Sequence, residues 1–308
     1  MLDRFLPTPI HEPPLPSLAE QGLRLLVKRD DLIHPDISGN KWRKLKYNLL
    51  ELQEQEIQRL LTFGGAYSNH IAAVAAAGQT FGFDTIGIIR GERVDPLNPT
   101  LRQAQKAGMH LEFVSRIDYR RRYDPDYQEH WRQRFGNCYL LPEGGTNALA
   151  LKGCAELIDE LEQDLPEWPD YICVSAGTGG TMAGLVAGLR GRSKVLGFSA
   201  LKGDFLAEEV RQLLERTGCG EYANWQMIDR YHFGGYAQYH PEVVRFVNAF
   251  KLQTGIPLEP IYTGKMFCGI FDLAARDFFR PGQTILAIHT GGLQGIRGFN
   301  ERHGKVIE

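Results

Sequence analysis

The sequence is poor in the features that mark secreted, membrane-spanning or polyanion-binding chains. Five cysteines are spread over 308 residues, at positions 138, 154, 173, 219 and 268. They form no C-x-x-C pair and their total is odd, so neither a disulfide framework nor a zinc cluster is indicated, reduced thiols are expected, and no metal is expected. No uninterrupted apolar run approaches the roughly 18 residues of a membrane span. The opening MLDRFLPTPIHEPPLPSLAEQG lacks the charged-then-apolar profile of a signal peptide, so a cytoplasmic location is expected. Charge of one sign is missing too: 35 Lys and Arg stand against 37 Asp and Glu, a formal net charge of -2. That balance gives no general attraction for nucleic acid or anionic membranes, and neither is expected as a partner. The one basic cluster, Arg116 to Arg122 with Arg132 and Arg134, is interleaved with Asp118, Asp124, Asp126 and Glu129 and reads as a solvated face. Internal repeats and low-complexity tracts are absent.

What is present is a pattern. With 43% hydrophobic residues the chain can bury a substantial core, and its length suits one large α/β unit or two interlocked domains. Short apolar, β-branched runs (LRLLVKRD, RLLTFGG, TIGIIR, HLEFV, YICVSAG, KVLGFSA, TILAIHTGG) alternate with helical stretches, which implies parallel sheets covered by helices on both faces. Trp42, Leu45, Leu49 and Leu52 fall at steps of three and four and make one helical stripe. A second helix is expected from Asn98 as N-cap, with Pro99 at its first position, to Gly108; others over 146–165 and 240–255.

Five segments place glycine and small polar residues where an apolar run ends. In Ser38-Gly39-Asn40-Lys41, a lysine stands at a helix start, where the positive end of the dipole disfavours the ammonium form and favours the neutral amine that condenses with an aldehyde. On this segment alone a surface lysine is the simpler reading, and Lys44, three residues on, is a rival. Gly64-Gly65-Ala66-Tyr67-Ser68-Asn69-His70 joins a strand to a helix; Ser68 reads either as an N-cap or as a ligand group at a strand's carboxyl end, and His70 as a hydrogen-bonded structural imidazole rather than a metal ligand. Ser175-Ala176-Gly177-Thr178-Gly179-Gly180-Thr181 follows a buried strand and precedes a helix, where converging N–H groups and threonine hydroxyls form an anion cup. It is neither a P-loop nor a complete G-x-G-x-x-G, since Met182 stands where the third glycine belongs. Ile261-Tyr262-Thr263-Gly264-Lys265 and His289-Thr290-Gly291-Gly292 complete the set.

Taken in order, SGNKWRKLKY, GGAYSNH, EGGTNALALKG, SAGTGGTMAG, IYTGK and HTGG resemble the motifs of the tryptophan synthase β-like (fold type II) pyridoxal-phosphate (PLP) enzymes, in the branch holding D-cysteine desulfhydrase and 1-aminocyclopropane-1-carboxylate (ACC) deaminase. The resemblance implies PLP as cofactor and an α/β fold of two three-layer α/β/α domains with mostly parallel sheets. It also implies a large domain of residues 1–46 and 151–308 with an inserted small domain of residues 47–150, a small amino acid as substrate, and a homodimer. Residue by residue, it implies that Lys41 binds the cofactor covalently and that Asn69 lies by the ring hydroxyl. Ser68 would stand near the substrate carboxylate or move a proton, Gly177 to Thr181 would hold the phosphate, Tyr262 would face the substrate, and Thr290 would meet the pyridine nitrogen. Tyr67, Asn69 and His70 are expected beside the substrate. ACC deaminases resemble this chain at Tyr262 but carry Glu in the next place, where Thr263 stands. A hydroxyl there leaves the nitrogen largely neutral and the ring a milder electron sink, which suits elimination of a good leaving group better than ring opening. The expectation is therefore a D-cysteine desulfhydrase-like reaction giving pyruvate, ammonia and sulfide, with ACC deaminase next, then a racemase or a non-catalytic PLP-binding protein. An NAD-dependent oxidoreductase would account for the glycine loop but not for Lys41. Tyr67 in place of Gln and Ser38 in place of glycine depart from the branch.

Overall fold

The computed structural model describes residues 6–308. Ten strands form two sheets among these residues: β1 (Ile10–His11), β2 (Arg24–Lys28), β3 (Arg59–Gly65), β4 (Asp84–Arg90), β5 (His110–Val114), β6 (Tyr139–Leu141), β7 (Tyr171–Ala176), β8 (Lys194–Ser199), β9 (Trp225–Ile228) and β10 (Thr284–Ile288). The larger sheet runs β1-β2-β10-β7-β8-β9 and the smaller β5-β4-β3-β6. Every pairing is parallel except β1 with β2. The expected α/β class with mostly parallel sheets is the fold observed.

Alternation along each strand builds the layers. Val27, Cys173, Ile285 and Ala287 enter one core, with the helices Pro241–Thr254 and Thr263–Ala275. Their neighbours Leu26, Ile172, Leu286 and Ile288 enter another, with the helices Ala148–Asp164 and Gly180–Leu189. The small sheet repeats this, Leu60 and Ile89 facing one way and Leu61 and Ile88 the other. Strands buried on both faces in this manner read as continuous apolar runs.

The helix Asn40–Glu54 belongs to both halves. Its stripe of Trp42, Leu45, Leu49 and Leu52 packs into the core of the small sheet, each side chain contributing about 1.5–3 kcal/mol. Its other face carries Arg43, whose guanidinium reaches Asp30 Oδ2 at 2.6 Å and Glu160 Oε1 at 2.8 Å, on elements beside the large sheet. Lys28 joins this buried network through Glu160 at 2.9 Å. Residues 46 and 47, the expected division between domains, lie inside this one helix.

β10 lies between β2 and β7, so the segments leaving the ends of these strands emerge side by side. Those are the turn after Lys28, the run from His289 to Gly292, and the glycine loop from Gly177. β3 is likewise internal, which brings the Tyr67–His70 turn beside the Glu143–Thr146 turn that follows β6. Crevices outside the carboxyl ends of parallel strands are where α/β proteins bind ligands. No helix among the described residues is long and apolar enough to cross a membrane.

Candidate active site

Lys41 stands at the second position of the helix Asn40–Glu54, and the turn before it is fixed by its neighbours. Gly39 adopts φ +63°, and a Cβ there would lie 1.9 Å from the Thr290 carbonyl oxygen. Only glycine lets the chain pass so close with that backbone angle. The Asn40 N–H then donates to Thr290 O at 3.2 Å, and Asn40 Nδ2 donates to Thr181 Oγ1 at 2.9 Å. Three of the expected segments thus meet at one turn. The amine of Lys41 is pushed down to about 7 by burial and then by the charge of Lys44. The direction is the one expected from the helix terminus, but its causes are burial and the neighbouring lysine.

Lys44, the rival, is committed elsewhere. Its Nζ donates to Gly144 O at 3.1 Å, Thr146 Oγ1 at 2.9 Å and Thr178 Oγ1 at 3.3 Å. Burial lowers its amine to about 8. It therefore stands among the hydroxyls of the glycine loop, where Thr146 and Thr178 also pair at 2.7 Å. Gly179 takes φ +74° as the helix Gly180–Leu189 begins, and a Cβ on Gly180 would lie 3.1 Å from Lys44 Nζ. Helix-terminal N–H groups, three threonine hydroxyls and an ammonium make a donor set suited to a phosphate group. The chemistry of these donors, with a lysine of lowered amine basicity three residues before Lys44, fits PLP. Lys44 and Thr146 were not assigned to the cup from sequence. The signal was available in EGGTNALALKG, but nothing local joins residue 146 to residue 178.

On the small-sheet side, Ser68 caps its helix: its Oγ accepts from Ile71 N at 3.3 Å. Asn69 reaches across to the large-sheet side, where its Oδ1 accepts from Gln294 Nε2 at 2.8 Å and its Nδ2 abuts Gly292. His70 is buried and pairs through Nε2 with Thr62 Oγ1 at 2.7 Å. Thr62 already donates to Leu141 O, so His70 carries its proton on Nε2. Its Nδ1 is buried without a partner. Burial, then the charges of Lys41 and Lys44, hold the ring well below the ordinary histidine range and so neutral. His70 is thus a buried, hydrogen-bonded imidazole; no group of three or more His, Cys, Asp or Glu side chains placed to hold a metal ion occurs among the described residues. Tyr67, half-buried, lays its ring on Gly298, where a Cβ would come within 2.9 Å.

Tyr262 lies against the glycine loop, its ring 3.1 Å from where a Cβ on Gly177 would stand. Burial raises its phenol, and Tyr236, with ring centroids 5.9 Å apart, raises it further. Sequence reasoning missed Tyr236, which lies in an irregular stretch with no periodic signal. Thr263 is fully buried and its hydroxyl is held by Glu259, with Oγ1 3.1 Å from Oε1. The same carboxylate accepts from the N–H groups of Ile261, Tyr262 and Thr263 at 2.6–3.1 Å. Thr263 thus packs beneath the turn, while Thr290 Oγ1 pairs with Ser175 Oγ at 3.0 Å across the ends of β10 and β7. Arg122, read as part of a solvated face, instead turns onto Glu143 at 2.6 Å, beside the Gly144 turn.

Known proteins resemble this chain over most of its length. A protein of Arabidopsis thaliana named bifunctional D-cysteine desulfhydrase/1-aminocyclopropane-1-carboxylate deaminase, mitochondrial, is 33% identical over 313 residues, covering 94% of this chain and 77% of its own length. A Thermotoga maritima protein provisionally named 1-aminocyclopropane-1-carboxylate deaminase is 33% identical over 307 residues, covering 94% of this chain and 95% of that protein. The crystal structure of an ACC deaminase homologue superposes with a TM-score of 0.85 at 28% identity, covering 99% of this chain and 95% of that one. A hydrogen sulfide-producing enzyme from Fusobacterium nucleatum, 13% identical with a TM-score of 0.70, shares the fold over 95% of this chain and 98% of its own. Residues 2–291 match the pyridoxal-phosphate dependent enzyme family, and the chain is a member of it.

Proposed function

We propose that the chain is a PLP-dependent lyase that eliminates the β-substituent of a small amino acid, with D-cysteine as substrate and pyruvate, ammonia and sulfide as products. Elimination followed by hydrolysis balances: one D-cysteine and one water give one of each product. When bound, the cofactor supplies an aldehyde that condenses with amines and a ring that delocalises the electron pair left at the α-carbon. The Gly177–Thr181 loop with Lys44 and Thr146 would hold the phosphate, Asn69 would lie by the ring hydroxyl, and Thr290 would meet the pyridine nitrogen.

The remaining residues sort by their protonation. Lys41, with an amine near 7, is a competent base at neutral pH once free of the cofactor. Tyr262, kept protonated by burial, serves as a proton donor. Ser68 Oγ accepts from the Ile71 N–H and orients the substrate carboxylate.

The observation that carries the choice of substrate is the Ser175–Thr290 hydroxyl pair at the strand ends. Glu259, the buried carboxylate nearby, is occupied by three backbone N–H groups and the Thr263 hydroxyl. A hydroxyl partner makes a mild electron sink, sufficient to expel a thiolate. The second reading, ACC deamination to α-ketobutyrate and ammonia, is favoured by the name of the Thermotoga maritima relative, while the name of the Arabidopsis thaliana relative carries both activities. A panel of D-cysteine, L-cysteine, β-chloro-D-alanine, D-serine and ACC, assayed for pyruvate, α-ketobutyrate and ammonia, tests the choice. Pyruvate from D-cysteine is the expected result, and α-ketobutyrate from ACC alone would contradict it.

A further inference from the structure

Residues 232–237 form a turn that the backbone does not favour. Phe233 (φ 48°), Gly234 (φ 88°), Gly235 (φ 113°) and Ala237 (φ 52°) all lie at positive φ, and two of the four carry side chains. Non-glycine residues rarely hold such angles unless their surroundings impose them. Within the turn, the Gly235 N–H donates to His232 O at 3.0 Å and the Gly234 N–H to His232 Nδ1 at 3.1 Å. Tyr231 anchors the entry, its hydroxyl donating to Asp272 at 2.6 Å. None of these bonds explains why the carbonyls of residues 232 and 235 converge inside the protein.

Lys265 supplies the reason. Its side chain is buried, at 2% exposure, and its Nζ donates to His232 O at 2.8 Å and to Gly235 O at 2.6 Å. Two carbonyl dipoles aimed at one interior point repel each other unless a cation lies between them. Burial lowers the Lys265 amine to about 8, and the charge of Glu259 opposes that shift and favours the ammonium form. The product of this clamp is the placement of Tyr236, held edge-on to Tyr262 with an interplanar angle of 64°.

We propose that Lys265 is a positioning residue: an ammonium built into the fold at a cage of backbone carbonyls, holding the 232–237 turn so that Tyr236 is set against Tyr262. The inference rests on the catalytic reading of Tyr262, but the clamp itself does not.

Two readouts separate the two claims. Hydrogen exchange on the purified protein needs no turnover. Lys265→Met is expected to speed exchange at the amides of residues 233–238 by at least about tenfold while leaving β7 and β10 unchanged. Unchanged protection of that turn would overturn the clamp. The second readout is kcat/KM on D-cysteine for Lys265→Met, Tyr236→Phe and the double variant. Each single change is expected to lower kcat/KM, and the double variant is expected to match Tyr236→Phe alone, because Lys265 acts by placing the Tyr236 hydroxyl, which Tyr236→Phe removes, on Tyr262. Effects that multiply would overturn the link to Tyr236. If wild type does not turn over D-cysteine, the substrate proposal fails and the exchange result still decides the clamp. Lys265→Gln, which keeps a donor for one carbonyl without the charge, carries both tests if the methionine variant does not fold; intermediate protection is then expected, and wild-type protection would count against the clamp.

Discussion

Lys41 and Lys44 share a helix face and differ in what surrounds them. Lys44 has three oxygen partners and an amine lowered to about 8, whereas the amine of Lys41 falls further, to about 7; the neutral His70 lies within electrostatic reach of both. Because the Lys41 amine falls to about 7, its neutral form predominates above that pH and its ammonium below. Capture of added PLP by cofactor-stripped protein should therefore accelerate as pH rises from about 6 to 8, with a midpoint near 7, followed by the growth of visible absorbance. A midpoint near the ordinary lysine value of roughly 10.4 would show that Lys41 is not desolvated. Beneath it, Asp30 accepts both Arg43 Nε at 2.6 Å and Nη2 at 2.7 Å. Asp30→Ala leaves much of a buried guanidinium charge uncompensated and should cost about 3–5 kcal/mol in urea unfolding. The motifs made these positions visible as a set, but not their partners: Thr263 was expected to face the cofactor, yet its hydroxyl is held by Glu259, four residues upstream in an apolar stretch that gives no sign of a carboxylate cap.

At the scale of elements, the longer ones were legible because periodicity and capping agreed. Asn98 caps the helix Pro99–Lys106, its Oδ1 accepting from Leu101 N at 3.1 Å, as the Asn-Pro pair indicated. The helices expected over 146–165 and 240–255 run Ala148–Asp164 and Pro241–Thr254. Strands β1, β6 and β9 were missed: they are two, three and four residues long, too short for alternation to register, and each closes a sheet edge. One short helix has a role its sequence does not advertise. Gln294, just before the helix Gly295–His303, meets Asn69, while Gly298 meets Tyr67 and Glu301 meets Arg102 at 3.4 Å. Residues 294, 298 and 301 share one helical face, so this segment straps the large-sheet side to the small-sheet side. Gly298→Val should push the Tyr67 ring aside and raise KM for the substrate several-fold with little change in melting temperature. An unchanged KM would place Tyr67 outside the substrate's reach.

Over the whole molecule, segments that leave the carboxyl ends of strands in both sheets meet: the Asn40 turn with Thr181 and Thr290, Lys44 with Gly144 and Thr146, and Asn69 with Gln294. The class of fold was readable from alternating strand and helix signals, and the family from six short segments that no composition or periodicity would have joined. What sequence could not supply was the set of contacts between segments a hundred residues apart, such as Lys44 with Thr146 and Asn40 with Thr181. Those contacts depend on strand order, which places β10 between β2 and β7. The central claim is that Lys41 is the residue joined to PLP. It is tested most directly by the visible spectrum of the purified protein before and after borohydride reduction, with peptide mapping of the modified lysine. Loss of the visible band with the label on Lys41 is the expected result. A label on Lys44, or a colourless protein that added PLP does not reconstitute, would contradict it.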